Sequence, residues 1–429
     1  MEHKMKLTPE EEDILNGGQG DLLQKVMETL VKYGDVYGAE CLVPLGAPIH
    51  MAMSSGTPIL LKPIYKIFDQ MIKQGIKVKK PFTVDPRPYD SEIPMTDQED
   101  KGMQMLYGGQ DIYENYLHKM GMKDDKAYSC TCYFDEIGNT PKYGDYLAWS
   151  ESSAVVYSNS VIGARTNRTS VMIDLFSGIL DKTPKFGFMT DEGRKADYII
   201  DLKTSGLPRA QILGSAIGLK VMEQVPYIRG LDKYLGNEIS PDVKDYLKDM
   251  GAATASNGAV ALYHVDHLTP EAKKQGESLI KENAKVYVID DDELERVVAS
   301  YPILWKDKDA APQKAFIGCP HLSLKQLENW TVKFKKTLDE AGKDQVEVPT
   351  IMTCAPNVIE EFKETDYYED FKKTGIHLSY ICPAMYLVNP VAAQTPIITN
   401  SNKLRTYSSA RYVDDDQILD LIVKGGKVE

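Results

Sequence analysis

The spacing of hydrophobic positions divides the chain into alternating strands and helices, most clearly in its last third. Short apolar runs predict strands at 259–265, 285–289, 314–317, 348–352 and 376–380. Apolar residues spaced three and four positions apart predict helices at 269–283, 290–299, 323–341 and 358–362. Strands and helices that alternate at this length indicate a parallel sheet covered by helices on both faces. The pattern therefore predicts an α/β fold.

The first half of the chain shows the same alternation less regularly. Thr8, followed by a proline and three glutamates, is typical of a helix start. The pattern predicts further helices at 21–33, 62–74, 98–120 and 172–180 and strands at 39–45 and 77–84. Residues 183–258 have no clear pattern. We expect two α/β regions, 1–255 and 256–429, and this division allows the second to be discontinuous with the first.

One stretch, Leu147 to Arg168, is unusually rich in short polar side chains. It reads LAWSESSAVVYSNSVIGARTNR and combines Glu151 and several hydroxyls and amides with a small apolar run. Serine and asparagine lower helix propensity, so a helix that only fills a core uses few of them. The stretch therefore predicts a polar lining for a buried ligand, with Asn159 and Arg165 among the binding groups. The alternative is a polar helix start followed by a loop.

Composition and charge exclude several classes of protein. The 429 residues carry a formal net charge of -13, which argues against nucleic acid as a partner. No apolar run is long enough to cross a membrane, and the N-terminus lacks the apolar core of a secretion signal. We therefore expect a cytoplasmic protein that does not interact with membranes and whose six cysteines are reduced.

The positions of the cysteines suggest a metal centre. Cys319 and Cys382 each follow a predicted strand and precede a proline, and Cys130 and Cys132 share a separate loop. Three thiolates from three loops could hold an iron–sulfur cluster and leave one iron open to substrate. Cys354 also follows a strand and competes for a ligand position. The alternative is that these cysteines fill the core as small hydrophobic residues.

Polar residues near the C-terminus and two histidines complete the candidate chemistry. Asn400, Ser401 and Lys403 follow an apolar strand, and a lysine beside an amide and a hydroxyl suits a carboxylate or phosphate. A solvated turn is the alternative. His50 and His321 lie in candidate loops, where each is more typical of a hydrogen-bonded structural histidine than of a base.

Several long motifs in this chain resemble one known family. WSESSAVVYSNSVIGARTNR, GCPHLSL, ICPA and TNSNK occur in the order found in the large chain of aconitase X. The resemblance extends over nearly the whole chain, from LTPEEEDIL to ITNSNK. It implies an aconitase-like multi-domain fold with helix-flanked sheets, without the small swivelling domain. That domain is expected as a separate small subunit.

The resemblance also implies roles for individual residues. An iron–sulfur cluster of undetermined nuclearity would bind Cys319, Cys382 and either Cys130 or Cys132, of which Cys130 is favoured. Glu151, Ser152 and Lys403 would be catalytic. Further substrate contacts would be Met53, Ser54, Ser55, Asp85 and Pro86. The family commonly has Gly-Val-Ser at 53–55 and Asn-Pro at 85–86, so this pocket differs from the common one.

The activity implied is a hydro-lyase that dehydrates a small β-hydroxy acid. Such a reaction needs a base for a weakly acidic proton and a Lewis acid for the departing hydroxyl. The expected substrate is cis-3-hydroxy-L-proline, with 5-phosphomevalonate as the alternative. A hypothesis of another class is a cluster-free subunit that binds a small molecule or acts as a scaffold.

Overall fold

The first part of the structure is mainly helical. The computed structural model describes residues 3–53 and 58–428. Its first elements are the helices α1 (Pro9–Leu15), α2 (Asp21–Val36), α3 (Pro58–Lys73), α4 (Asp97–Tyr107), α5 (Gln110–Met120), α6 (Ser152–Tyr157) and α7 (Val171–Leu180). The short strands of this part are β1 (Leu42–Pro44), β2 (His50–Met51), β3 (Thr83–Val84) and β4 (Lys182–Pro184). Strand β1 pairs with β4 antiparallel, and β2 pairs with β3 parallel.

The second part of the chain forms a four-stranded parallel sheet. Its elements are β5 (Ala196–Leu202), α8 (Ala210–Val221), β6 (Pro226–Arg229), α9 (Asp232–Leu235), α10 (Pro241–Gly258), β7 (His264–Val265), α11 (Pro270–Gln275), β8 (Ile280–Ile289) and α12 (Asp291–Ala299). The strand order is β7-β6-β5-β8. This sheet takes strands from both sides of residue 255, and the division into 1–255 and 256–429 stays a prediction.

The third part forms a five-stranded parallel sheet. Its elements are β9 (Lys314–Leu322), α13 (Leu324–Ala341), β10 (Thr350–Cys354), α14 (Pro356–Lys363), α15 (Tyr367–Lys373), β11 (His377–Ser379), α16 (Pro383–Tyr386), β12 (Ile397–Thr399), α17 (Asn402–Tyr407), β13 (Arg411–Tyr412) and α18 (Asp415–Lys424). The strand order is β11-β10-β9-β12-β13. The predicted α/β class, with helices around parallel sheets, is confirmed.

The strand order of the third part determines where a ligand can bind. From β9 the chain adds β10 and β11 on one side and then β12 and β13 on the other. The connections therefore change direction between β9 and β12. In open α/β sheets ligands bind beyond the carboxyl ends of the strands at such a point. Cys319 lies near the carboxyl end of β9, and Lys403 lies in the first turn of α17, shortly after β12.

Several predicted elements were wrong in extent. The predicted helix 269–283 ends at Gln275, a short 3₁₀ turn follows, and strand β8 begins at Ile280. The predicted strand 259–265 is reduced to β7, although the residues before it are mostly buried. The predicted helix 98–120 is interrupted at Gly108 and Gly109, which separate α4 from α5. Glycine weakens a helix interior because it loses the most conformational freedom there.

Candidate active site

A buried ion pair between Glu151 and Lys403 lies at the centre of the candidate site. The Lys403 ammonium donates hydrogen bonds to Glu151 Oε1 and to Ser153 Oγ, the latter at 2.6 Å. The Lys403 side chain is only 10% exposed and the Glu151 side chain only 6%. Glu151 also caps helix α6, since its Oε2 accepts from the Ala154 amide at 2.6 Å. The structure thus brings together two predicted catalytic residues that are 252 positions apart in the sequence.

Both members of this pair are held in the charged state. Burial alone would raise the pKa of Glu151, but Lys403 and the Ala154 amide more than offset it and lower the pKa. Burial would likewise lower the pKa of Lys403, but Glu151 and the neighbouring Cys319 and Cys130 raise it well above its ordinary value. Opposite charges at close range stabilise each other's ionised form.

Three cysteine thiols surround Lys403. Burial raises the pKa of Cys130 and Cys319, and in both cases the Lys403 charge is the largest influence in the opposite direction. Burial and then Cys319 raise the pKa of Cys382 to about 12, again opposed by Lys403. Hydrogen bonds connect β9, which carries Cys319, to the Cys130 loop and to the segment after β12. The His321 amide donates to Cys130 Sγ at 3.3 Å, and Ser401 Oγ donates to the Cys319 carbonyl.

The remaining cysteines have different surroundings. Cys354 packs in the hydrophobic core of the third part, and among charged groups only Lys248 is a main influence on its pKa. Cys132 packs in the core of the second part, where the His50 ring is the largest influence that lowers its thiol pKa. The charge of Cys319 is among the main influences on the pKa of the Cys130 thiol but not on the pKa of the Cys132 thiol. By these electrostatic influences and by its hydrogen bond from the His321 amide, Cys130 groups with Cys319 and Cys382.

A second polar network borders the site and contains Asp85. Asp85 Oδ1 lies 3.1 Å from His50 Nε2, and His50 Nδ1 lies 2.9 Å from Thr83 Oγ1. Asn139 Nδ2 donates to the same Thr83 oxygen at 2.8 Å. Burial raises the pKa of Asp85, and Glu151 adds to this effect while His50 opposes it. Sequence reasoning treated His50 as structural and missed Thr83, Asn139 and Ser153, because bonds between distant segments leave no local pattern.

His321 has the structural role that the sequence predicted. Its Nε2 lies 3.1 Å from the Ile381 carbonyl and its Nδ1 lies 3.4 Å from Ser129 Oγ. Burial lowers its pKa to about 4, so the ring is neutral. The ring therefore connects β9 with the loops that carry Cys130 and Cys382.

Other predicted site residues have different positions. Ser152 Oγ lies 3.4 Å from Glu151 Oε1, within the site. The Met53 carbonyl accepts from Tyr113, and Pro86 is buried beside Asp85. Ser54 and Ser55 lie outside the described residues.

Asn159 and Arg165 support neighbouring backbone. The Asn159 amide donates to the Thr166 and Ala261 carbonyls at 2.9 Å each. Arg165 donates to the Met189 carbonyl and forms an ion pair with Asp191. These two side chains are therefore engaged with partners other than Lys403 and Glu151.

Asn400 faces a separate cleft. Its amide donates to Asp415 at 2.8 Å. Both line an acidic cleft of about 400 Å³, together with Asp245 and Asp249. The cleft reaches Cys319 and Ser401 but is not lined by Glu151 or Lys403. It therefore borders β9 at Cys319 and is separate from the Glu151–Lys403 pair.

The fold and site define an α/β enzyme built around a buried lysine–carboxylate pair with three thiols beside it. Sequence models of the aconitase X first, second and third domains match residues 4–192, 196–299 and 313–417. The chain belongs to the aconitase X family, and it is a dehydratase, that is, a hydro-lyase.

Three comparisons illustrate the relationship. The phosphomevalonate dehydratase large subunit of Thermococcus kodakarensis is 33% identical and aligns with 94% of this chain and 95% of its own length. The cis-3-hydroxy-L-proline dehydratase of Hypocrea jecorina is 27% identical over 66% of this chain and 46% of its own length. The crystal structure of Thermococcus kodakaraensis aconitase X (holo-form) superposes with a TM-score of 0.79 at 31% identity, covering 98% of this chain and 100% of that chain. In the described part of this chain, no helix is both long and apolar enough to span a membrane.

Proposed function

We propose that this chain is the large subunit of a two-chain dehydratase that removes water from a β-hydroxy acid with an iron–sulfur cluster. The observation that carries the proposal is the Glu151–Lys403 pair, buried beside the thiols of Cys130, Cys319 and Cys382. The relative in Thermococcus kodakarensis is named a large subunit, which supports a separate small subunit as the partner. A cytoplasmic location would keep the six cysteines reduced, and the proposed cluster needs reduced cysteines as its ligands.

The donor set fits a cluster better than a single metal ion. Within the described residues, no three His, Cys, Asp or Glu side chains are arranged to share one ion. A cluster is held by cysteine thiolates, and separate iron atoms accept them. The Lys403 charge opposes the effect of burial on Cys130 and Cys319 and so favours their thiolate forms. When bound, the cluster would supply a Lewis acid that polarises the departing hydroxyl.

Lys403 is our candidate for binding the substrate carboxylate. As the proton beside that carboxylate is removed, negative charge moves onto the carboxylate oxygens, and a fixed ammonium stabilises it. Ser153 and Glu151 hold the ammonium in place before substrate binds. Ser152 offers a further hydroxyl next to Glu151 Oε1.

Glu151 is our candidate for the group that accepts the proton. It is ionised in the free site because Lys403 lowers its pKa. A substrate carboxylate that takes over the Lys403 ammonium would weaken this effect and leave burial, which raises the pKa. Substrate binding would therefore raise the pKa of Glu151 toward the value that suits a general base at neutral pH.

Three observations bear on which hydroxy acid is the substrate. The relatives matched over nearly their whole length are named phosphomevalonate dehydratases, which favours 5-phosphomevalonate over our first expectation. However, a phosphate needs additional cations, and Arg165 and Arg405 are engaged with Asp191 and with Asn257, respectively. An acid at Asp85, where the family commonly has an amide, suits the ammonium of hydroxyproline. Both compounds should therefore be assayed as substrates.

The test is anaerobic production with a swivel-domain small subunit, followed by iron and sulfide analysis and an assay of both compounds. We expect bound iron and turnover of one compound. Cys319→Ser should lose iron and at least 100-fold in activity. The matched control is Cys354→Ser, which changes a core cysteine away from Lys403 and should keep its iron. Iron-free wild-type protein after reconstitution, or equal iron in the two variants, would contradict the proposal.

A further inference from the structure

Tyr133 has a buried hydroxyl that lacks a hydrogen-bond partner among the described residues. The residue is 3% exposed. Its ring stacks on Tyr157 with centroids 3.9 Å apart and planes 11° apart, and it meets the edge of Phe134 at 5.2 Å. Buried tyrosine hydroxyls normally find a partner, so an unpaired one calls for an explanation. The two aromatic contacts hold the ring in one orientation.

The Tyr133 ring stacks on the last residue of α6, the helix that Glu151 caps, and Tyr133 follows Cys130 by three positions in the same loop. Burial raises the pKa of Tyr133 well above its ordinary value, and Tyr157, Cys130 and Glu151 raise it further. The hydroxyl therefore stays protonated and is available as a donor. Cys130 Sγ already accepts from the His321 amide, and the Glu151 oxygens accept from Lys403 and Ala154. The hydroxyl is bonded to none of them.

A ligand oxygen would complete this arrangement. The substrate of the proposed reaction has a carboxylate with two oxygens, and one ammonium does not use all of their lone pairs. Resting on the proposed function, we propose that the Tyr133 hydroxyl donates a hydrogen bond to an oxygen of the bound hydroxy acid, beside the Lys403 ammonium. The stack on Tyr157 orients the donor before the substrate arrives, which reduces the entropy lost on binding.

The stacked pair supplies its own matched control. Tyr133→Phe and Tyr157→Phe each remove one hydroxyl and keep the aromatic stack. The charges that most affect Tyr157 are Asp245 and Asp135, neither of which belongs to the site. Each variant is compared with wild type in the complete two-chain enzyme. The measurements are kcat, KM, iron and sulfide content, the visible spectrum, and calorimetric binding of 5-phosphomevalonate and cis-3-hydroxy-L-proline.

We expect Tyr133→Phe to lower kcat/KM and binding affinity by about 10- to 100-fold, the usual effect of a hydrogen bond to a charged group. Iron, sulfide and spectrum should match wild type. Tyr157→Phe should stay within about twofold of wild type. Equal behaviour of the two variants would overturn the proposal. A changed spectrum or iron content in Tyr133→Phe with unchanged affinity would also overturn it, because the hydroxyl would then serve the cluster.

Failure of the proposed function gives a different result. A wild-type enzyme that binds neither compound and contains no iron contradicts the dehydratase proposal, and the Tyr133 proposal fails with it. A wild-type enzyme that binds one compound, while Tyr133→Phe binds it equally well, contradicts the Tyr133 proposal alone.

Discussion

Lys403→Met tests the buried ion pair by leaving Glu151 without its cation. Removing one partner of a buried pair costs about 3–5 kcal/mol because a buried charge is left uncompensated. That range applies here because both side chains are at most one-tenth exposed. We therefore expect a loss of about 3–5 kcal/mol in the free energy of unfolding of the iron-free chain at pH 8.

The loss should depend on pH in a specific direction. In the wild type the pKa of Glu151 is lowered, so its contribution is present above its unfolded pKa of about 4.3 and is lost as the pH falls. In the variant burial, the largest of the effects, is opposed only by the Ala154 amide and His50, and we expect a raised pKa. Stability should then fall by about 1.4 kcal/mol per pH unit above about pH 4.3, until the raised pKa is reached. The variant should therefore be closest to wild type near pH 5.

The assay is denaturant unfolding followed by the fluorescence of the tryptophans, in reducing buffer between pH 5 and pH 8. Lys335→Met is the control, since its ion pair with Asp370 is exposed and its removal should give no pH-dependent change. The double variant Glu151→Gln/Lys403→Met should recover at least half of the loss, because no charge is left unpaired. A loss that is the same at pH 5 and pH 8, or no recovery in the double variant, would refute the reasoning.

Two further predictions concern the surroundings of the site. Gly318→Ala should destabilise the fold by more than the roughly 1–3 kcal/mol of backbone strain alone and should reduce bound iron, because Gly318 has a φ of 110° and its new Cβ would lie 2.4 Å from the Thr353 carbonyl. Gly342→Ala, at a φ of 63° with open space around it, should show only the backbone strain. Thermal unfolding of both variants measures the difference. Burial raises the pKa of Asp174 to about 7, so wild-type stability should fall as the pH rises from about 4 to 7, by about 4 kcal/mol in all. Asp174→Asn should lack this slope, and equal slopes in thermal unfolding would contradict the prediction.

The last third of the chain could be predicted from local patterns because its strands are buried on both faces. Every residue of β9 is buried, and Ser323 caps α13 as its side chain accepts from the Gln326 amide. The first half of β8 was assigned to a helix, and only 285–289 was predicted as a strand, because β8 is an edge strand with several exposed positions. Its lysines, glutamate and alanine favour a helix in isolation, and pairing with β5 overrides that preference.

The candidate site was predictable in its residue types and less so in its geometry. Glu151, Lys403, Cys319 and Cys382 stand at the ends of strands or at helix starts, which the sequence indicates. Our proposal of Cys130 rather than Cys132 as a ligand depends on how each side chain is oriented in the fold, and the two residues are only two positions apart in one loop. Such an orientation is set by tertiary packing, which no periodicity in the sequence reports.

The distance along the chain between the site residues affects how the enzyme is made. Glu151 and Lys403 are 252 residues apart, and the Cys130 thiol meets an amide 191 residues later. At a synthesis rate of 5–20 residues per second, Cys130 leaves the ribosome about 10–40 s before its partners. A nascent or truncated chain would therefore lack the complete set of thiols. Under the proposed function, only a chain that extends past Cys382 could bind the cluster, so iron would not be committed to fragments that end earlier.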